Sequence, residues 1–86
     1  MATWKEELCD QLSEELEDVE TYARLSRTAE AYGEHNVSHF LSVIAHEEMT
    51  HAEYIKSALE DMGLYSDEKS REMTVKWERA KSSLYK

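Results

Sequence analysis

The segment AHEEMTHAEYI, residues 45–55, places a carboxylate and an imidazole within an apolar helical pattern. Glu48 and His51 are three residues apart, so on a helix their side chains lie on one face, one turn apart. The same face carries Ile44 and Ile55, which are expected to point towards a core. Burial of a carboxylate and an imidazole is costly unless a partner compensates it. Either an ion pair within a helical bundle or a bound metal ion could supply that compensation.

A second acidic residue, Glu15, lies on the apolar stripe of an earlier helical segment. Gly33 is expected to end that first helix, because glycine readily takes the left-handed conformation found at helix ends. Glu15 is 18 residues before Gly33, and Glu48 is 15 residues after it. In an antiparallel hairpin the distances of the two residues from the turn differ by three residues, or about 4.5 Å along the helix axis. The spacing therefore predicts that Glu15 faces Glu48 and His51.

The three residues together are half of a known kind of metal site. Carboxylate-bridged di-iron proteins take one Glu from each of two helices and a Glu-x-x-His pair from each of two others. One hairpin of this chain offers two carboxylates and one imidazole. A two-fold dimer is therefore predicted to complete a four-helix bundle and a site with six ligands for two metal ions. Oxygen and nitrogen ligands of this kind suit iron or manganese.

The composition is typical of a small, strongly acidic helical protein. The 86 residues include no proline and only two glycines, which favours long helices. Cys9 is the only cysteine, so no disulfide can form within the chain, and a metal or self-association is expected to stabilise it. The net charge of −9 argues against binding to nucleic acid or to an anionic membrane. Without an apolar run long enough to span a bilayer and without a secretory signal, the protein is expected to be cytoplasmic.

The predicted fold is all-α, with residues 1–86 forming one domain. Helices are predicted at about 3–32, 37–62 and 67–85, as an antiparallel two-helix hairpin followed by a short C-terminal helix. The third helix has few apolar residues and is expected to dock against a partner or to fray. The predicted helix ends rest on capping residues: Thr3 with Glu6, Gly33, Asn36, Gly63 and Ser66. The predicted core face of the second helix carries Leu41, Ile44, Glu48, His51, Ile55, Leu59 and Met62.

Two paired motifs resemble those of the ferritin-like superfamily: Glu15-x6-Tyr22 on one helix and Glu48-x-x-His51 on the next. Within that superfamily, EELEDVETY (14–22) and EEMTHA (47–52) on a two-helix chain are most similar to the encapsulated ferritins. These are half-length ferritins that dimerise to form a ferroxidase centre and then assemble into rings. The resemblance covers about residues 8–62. It implies that the metal ligands are Glu15, Glu48 and His51, with Tyr22 as the neighbouring tyrosine.

The resemblance also implies features outside the central site. Acidic residues of the family at the positions of Glu14 and Glu17 form an outer metal site between dimers. Encapsulin cargo usually ends in a Gly-Ser-Leu-like targeting motif, which KSSLYK, residues 81–86, matches only in part. The implied partners are a second copy of the chain, a larger ring-like oligomer and an enclosing encapsulin shell.

The expected function is oxidation of Fe(II) to Fe(III) by oxygen or hydrogen peroxide, for iron storage or detoxification. The expected di-iron centre holds two ions per dimer, and its catalytic residues are Glu15, Glu48, His51 and Tyr22. A rubrerythrin-like peroxidase is an alternative, although the chain has no Cys-x-x-Cys for a rubredoxin electron donor. A non-catalytic helical oligomerisation module, or a metal-buffering protein, is the other alternative.

Overall fold

The computed structural model describes residues 3–66 and 70–85, and within these ranges it contains helices and no strands. The helices are α1 (Trp4–Ala31), α2 (His35–Asp61) and α3 (Arg71–Leu84). Near the α1–α2 turn, the Ser26 hydroxyl donates to the Ser38 carbonyl oxygen at 2.7 Å. Farther along, Glu15 lies beside His51, so α1 and α2 run antiparallel. The predicted all-helical class with three helices is confirmed.

Gly33 ends α1 in the way that the sequence predicts. Its φ angle is +79°, in the left-handed region that favours glycine. The N–H of Gly33 donates to the carbonyl of Glu30 at 3.0 Å, and the N–H of Glu34 donates to the carbonyl of Ala29 at 2.9 Å. This pair of bonds is a Schellman motif, which satisfies the last carbonyls of the helix. The resulting connection is short enough to hold α1 and α2 in one register.

Other predicted helix ends are confirmed at Thr3 and Gly63. The Thr3 hydroxyl accepts a hydrogen bond from the Glu6 N–H at 3.2 Å, so Thr3 caps α1. Gly63 has a φ angle of +71°, and its N–H donates to the carbonyl of Glu60 at 2.9 Å. The N–H of Leu64 donates to the carbonyl of Leu59, which completes a second Schellman motif at the end of α2.

Two predicted N-caps are wrong. Asn36 lies inside α2, which begins at His35 and has Glu34 as its N-cap. The Schellman motif of α1 already brings Glu34 into position, and its carbonyl accepts the first α2 hydrogen bond, from Ser38. The N-cap of α3 is Ser70 rather than Ser66, so this helix begins at Arg71. Residues 67–69, where the third helix was predicted to start, lie outside the described residues.

The core is centred on the side of the hairpin that faces α3. Its α1 residues follow a 4-3-4 spacing: Leu12, Leu16, Val19 and Ala23. Its main α2 residues are Ala45, Met49, Ala52 and Leu59. Within a single chain the predicted α2 core face lies at the edge of this core: of its residues only Leu59 is buried, while His51 is exposed. Ile44, Glu48 and Ile55 are half-buried at the edge of this core.

The third helix docks against its own hairpin, which corrects the expectation that it frays or binds a partner. Ala80 is fully buried, and Met73, Trp77 and Leu84 pack against the core. These four residues follow a 4-3-4 spacing, so they form one apolar stripe along α3. The ammonium group of Lys56 also lies 4.5 Å from the centroid of the Trp77 ring, a cation–π distance.

One face of the hairpin remains open because α3 covers only the other. Large apolar side chains are exposed on the hairpin, including those of Trp4 (62%), Phe40 (64%) and Val37 (46%). The half-buried residues Glu15 and Glu48 reach solvent on this open face.

None of the helices in the described ranges combines the length and the apolar character that a bilayer crossing requires.

We expect Ala80→Asp to lower the free energy of unfolding by about 2 kcal/mol or more, because it places a charge at a fully buried position. Urea denaturation followed by circular dichroism measures this change. The matched control is Ser82→Asp, which adds the same charge at an exposed position of the same helix. Equal effects of the two substitutions would contradict the docking of α3.

Candidate metal centre

The structure brings Glu15, Glu48 and His51 together across the α1–α2 interface. The candidate ligand atoms of the three side chains lie within 4.8 Å of one another. His51 Nδ1 is 3.7 Å from Glu15 Oε2 and 3.9 Å from Glu48 Oε1. With metal–ligand bonds of about 2.1 Å, two ligands of one ion can lie up to about 4.2 Å apart, so both distances fit a shared cation.

The burial of the three side chains follows from their position beside the core. Glu15 precedes Leu16 and is 13% exposed, while Glu48 precedes Met49 and is 20% exposed. His51 lies farther from the core and is 55% exposed. The two carboxylates therefore form the inner part of the cluster, and the imidazole forms its rim on the open face.

The two oxygens of Glu15 have different surroundings. Oε1 accepts a hydrogen bond from Gln11 Nε2 at 3.2 Å, one helical turn earlier. Oε2 is buried and has no hydrogen-bond donor among the described residues while Glu48 is ionised. A buried carboxylate oxygen without a donor costs free energy unless a partner such as an ordered water molecule or a bound ion compensates it. Because Oε2 is also the oxygen beside His51, it is placed to bind a cation.

The proximity of the two carboxylates changes the proton affinity of Glu48. Hydrogen bonding with Glu15, burial, and repulsion from the charges of Glu15 and Asp18 raise the pKa of Glu48 to about 7, while His51 acts in the opposite direction. Only a protonated Glu48 can donate a hydrogen bond to Glu15. When both groups are ionised, two negative charges meet at the edge of the core, and a divalent cation would neutralise them.

Gln11 and Asp18 also belong to this site: the position of Asp18 close to the apolar stripe of α1 makes it a possible substitute ligand from the sequence alone, whereas Gln11 is not among the predicted residues. Gln11 is four residues before Glu15, a spacing at which an amide can bond a carboxylate on a helix. Asp18 is three residues after Glu15 and acts on Glu48 through its charge. The spacings of Gln11 and Asp18 from Glu15 can be read from the sequence. They indicate a role in the site only once Glu15 is known to lie at the edge of the core.

The other predicted site residues lie apart from the cluster. Tyr22 is half-buried on α1, two turns from Glu15, and no hydrogen bond joins it to the three residues in the described part of the chain. Glu14 and Glu17 are exposed. The carboxylate of Glu17 is ion-paired with Lys76 at 3.0 Å. The predicted outer site therefore includes an acid whose charge α3 already compensates.

We expect the metal-free protein to lose stability relative to Glu48→Gln as the pH rises from 5 to 8. The raised pKa of Glu48 means that the folded protein holds this proton more tightly than the unfolded chain does. The resulting stabilisation is fully present below about pH 4.5 and is lost as the pH rises through about 7. Glutamine is neutral throughout, so the difference should grow by about 1 to 3 kcal/mol.

Urea denaturation of chelator-treated protein at several pH values measures this difference. The matched control is Glu47→Gln, which changes the adjacent but exposed acid. The same pH dependence in the wild-type protein and in Glu48→Gln would show that the two carboxylates are not coupled.

Comparison of the chain with protein-family models, with curated proteins and with solved structures finds no match. The likeness to the ferritin-like superfamily therefore rests on the two motifs and stays a prediction. The geometry of Glu15, Glu48 and His51 stands independently of it.

Proposed function

We propose that this chain is a ferroxidase that binds Fe(II) through Glu15, Glu48 and His51 and oxidises it to Fe(III). The observation that carries the proposal is the buried Oε2 atom of Glu15, which has no hydrogen-bond donor in the described residues while Glu48 is ionised and lies beside His51. A bound cation would compensate the free-energy cost of burying this oxygen without a donor. Iron suits a ligand set of two carboxylates and one imidazole.

An ion pair without a metal explains the geometry of these three residues less well. The separations of 3.7 and 3.9 Å between His51 Nδ1 and the carboxylate oxygens exceed hydrogen-bonding distance. When both carboxylates are ionised, they also leave a net negative charge even if the imidazole is protonated. Since repulsion from Glu15 contributes to the raised pKa of Glu48, a divalent cation would stabilise the ionised pair more fully than His51 alone.

A second copy of the chain is the partner that completes the proposed centre. One chain offers three ligands, and His51 at the rim is 55% exposed on the side away from α3. A two-fold axis across the open face would bring two such sets together and cover exposed apolar side chains such as Phe40. The dimer would then form a four-helix bundle with four carboxylates and two imidazoles for two iron ions. Glu48 would bridge or clamp the ions, His51 would bind terminally, and Glu15 would supply the remaining carboxylate.

The proposed reaction balances with oxygen or hydrogen peroxide as oxidant. Each of two Fe(II) ions loses one electron. Oxygen takes up both electrons and two protons and leaves as hydrogen peroxide, or hydrogen peroxide takes up both electrons and two protons and leaves as two water molecules. Binding of Fe(II) would require Glu48 to give up its proton, so uptake should weaken below about pH 7.

Storage of the Fe(III) product would require more than one dimer. A chain of 86 residues has no room for an internal mineral cavity, so a ring-like oligomer or an enclosing shell of the encapsulin type would have to provide it. The net charge of −9 would concentrate Fe(II) near the protein surface.

We expect aerobic oxidation of Fe(II) by the wild-type protein to be much faster than in buffer, with a break near one iron per chain. His51→Ala should reduce the rate to about that of buffer, because it removes a ligand from each half of the centre. Near-ultraviolet absorbance follows the Fe(III) product. The matched control is His46→Ala on the same helix, since His46 is exposed and its imidazole bonds, among the described residues, only the carbonyl of Ser42.

Three other outcomes would contradict the ferroxidase. Tight Fe(II) binding without oxidation would indicate a metal-buffering protein. Turnover of peroxide with an added reductase and without net iron uptake would indicate a peroxidase. Rates no faster than buffer, without metal binding, would leave a helical oligomerisation module.

We expect the protein to be a dimer and Phe40→Asp to weaken that dimer about tenfold or more, because it places a charge on the open face. Sedimentation equilibrium measures the dissociation constant. The matched control is Val75→Asp, which changes an exposed apolar residue on α3. A monomeric wild-type protein, with or without Fe(II), would contradict the shared centre.

A further inference from the structure

A groove of about 420 Å³ lies between α1 and α3 and collects three of the four arginines of the chain. They are Arg24 and Arg27 of α1 and Arg79 of α3. The hydroxyl-bearing residues Thr21 and Ser83 also line this arginine groove. Such a concentration of guanidinium groups is unexpected on a chain with a net charge of −9.

Arg27 is held in place by a contact between the two helices. Its Nη1 donates to the carbonyl oxygen of Ser83 at 3.0 Å, which joins α1 to the last turn of α3. Arg79 lies on the α3 side of the groove, and its Nε is 3.3 Å from Oε1 of Glu20 on α1. The docking of α3 therefore creates the groove and sets the position of two of its three arginines.

The acids of the groove do not cancel its positive charge. Glu17 is ion-paired with Lys76 at 3.0 Å, and Glu20 is ion-paired with Arg79. Glu20 is four residues before Arg24, a spacing that allows an ion pair on a helix, but its carboxylate lies at Arg79 instead. The guanidinium group of Arg24 makes no ion pair or hydrogen bond with the described residues, and only the backbone carbonyl of this residue accepts a side-chain bond, from the Thr28 hydroxyl. Arg24 and Arg27 thus leave the groove with an excess of positive charge.

Guanidinium groups bind tetrahedral oxyanions well because their N–H donors match pairs of oxygen atoms. Three such groups that line one groove from two helices, with hydroxyl-bearing residues beside them, suit an anion with several acceptor atoms. A carboxylate at the same place, here that of Glu20, can accept a hydrogen bond from a protonated phosphate oxygen. Sulfate carries no proton at neutral pH, so this carboxylate should favour phosphate over sulfate.

We propose that the arginine groove binds a phosphate group through Arg24, Arg27 and Arg79. The phosphate is either the free inorganic ion or the terminal group of a small phosphate ester. The groove lies on the opposite side of α1 from the candidate metal centre, since Arg24 is nine residues from Glu15, or about half a turn around the helix. A dimer formed on the open face would leave it accessible. The proposal goes beyond the proposed ferroxidase and does not depend on it.

Titration of the iron-free protein with inorganic phosphate at constant ionic strength tests the proposal. Calorimetry measures the affinity, and the NMR signals of the arginine Nε–H groups report which arginines respond. We expect one phosphate per chain with a dissociation constant of about 1 mM or tighter, and weaker binding of sulfate. Glycerol 3-phosphate is the second ligand: tighter binding than that of the free ion would identify an ester as the ligand, and weaker binding would identify inorganic phosphate.

Arg24→Gln is the decisive variant because Arg24 makes no structural contact that its loss would disturb. It should raise the dissociation constant about fivefold or more, which corresponds to loss of one charge-assisted contact. Arg71→Gln is the matched control, since Arg71 is the one arginine outside the groove. Equal affinities of the two variants, or shifts that chloride reproduces, would overturn the proposal. Iron oxidation plays no part in this measurement, so it stands whether or not the ferroxidase does.

Discussion

Repulsion between the carboxylates of Glu15 and Glu48 is the constraint on which the candidate site depends. The α1–α2 interface holds both groups at the edge of an apolar core, where water can solvate them only in part. The consequence is that Glu48 takes up a proton near neutral pH, and that a Glu15 oxygen is left without a donor in the described residues when Glu48 is ionised.

The register of the hairpin keeps these carboxylates together. The Schellman motif at Gly33 ends α1 and positions Glu34 to begin α2, so the connection has little freedom. The bond from Ser26 to Ser38 ties the two helices next to the turn. A shift by one residue on α2 would rotate Glu48 by about 100° around its helix and separate it from Glu15. The geometry of the site therefore depends on the turn as well as on the identity of the three residues.

The docking of α3 divides the surface of the hairpin into two regions with different chemistry. On the covered side, the contact brings Arg79 to Arg24 and Arg27 and compensates the acid Glu17 with Lys76. On the open side, the acids Glu15, Glu48 and Asp18 remain with His51. Opposite charges are thereby separated across the width of α1. The proposed cation site and the proposed phosphate site therefore lie on opposite sides of α1.

The sequence by itself determined the helical class, the hairpin turn and the meeting of Glu15 with Glu48 and His51. These features depend on local rules: the absence of proline, the glycines at helix ends, and the number of residues between the turn and each ligand. The tertiary structure alone decided which side of the hairpin is core. Helical periodicity indicates an apolar stripe but not what covers it, so the α2 stripe was centred on Glu48 rather than on Met49 and Ala52. The place of α3, the pairing of Glu17 with Lys76 and the arginine groove also needed the fold, because they join residues about 50 to 60 positions apart through contacts that no local pattern encodes.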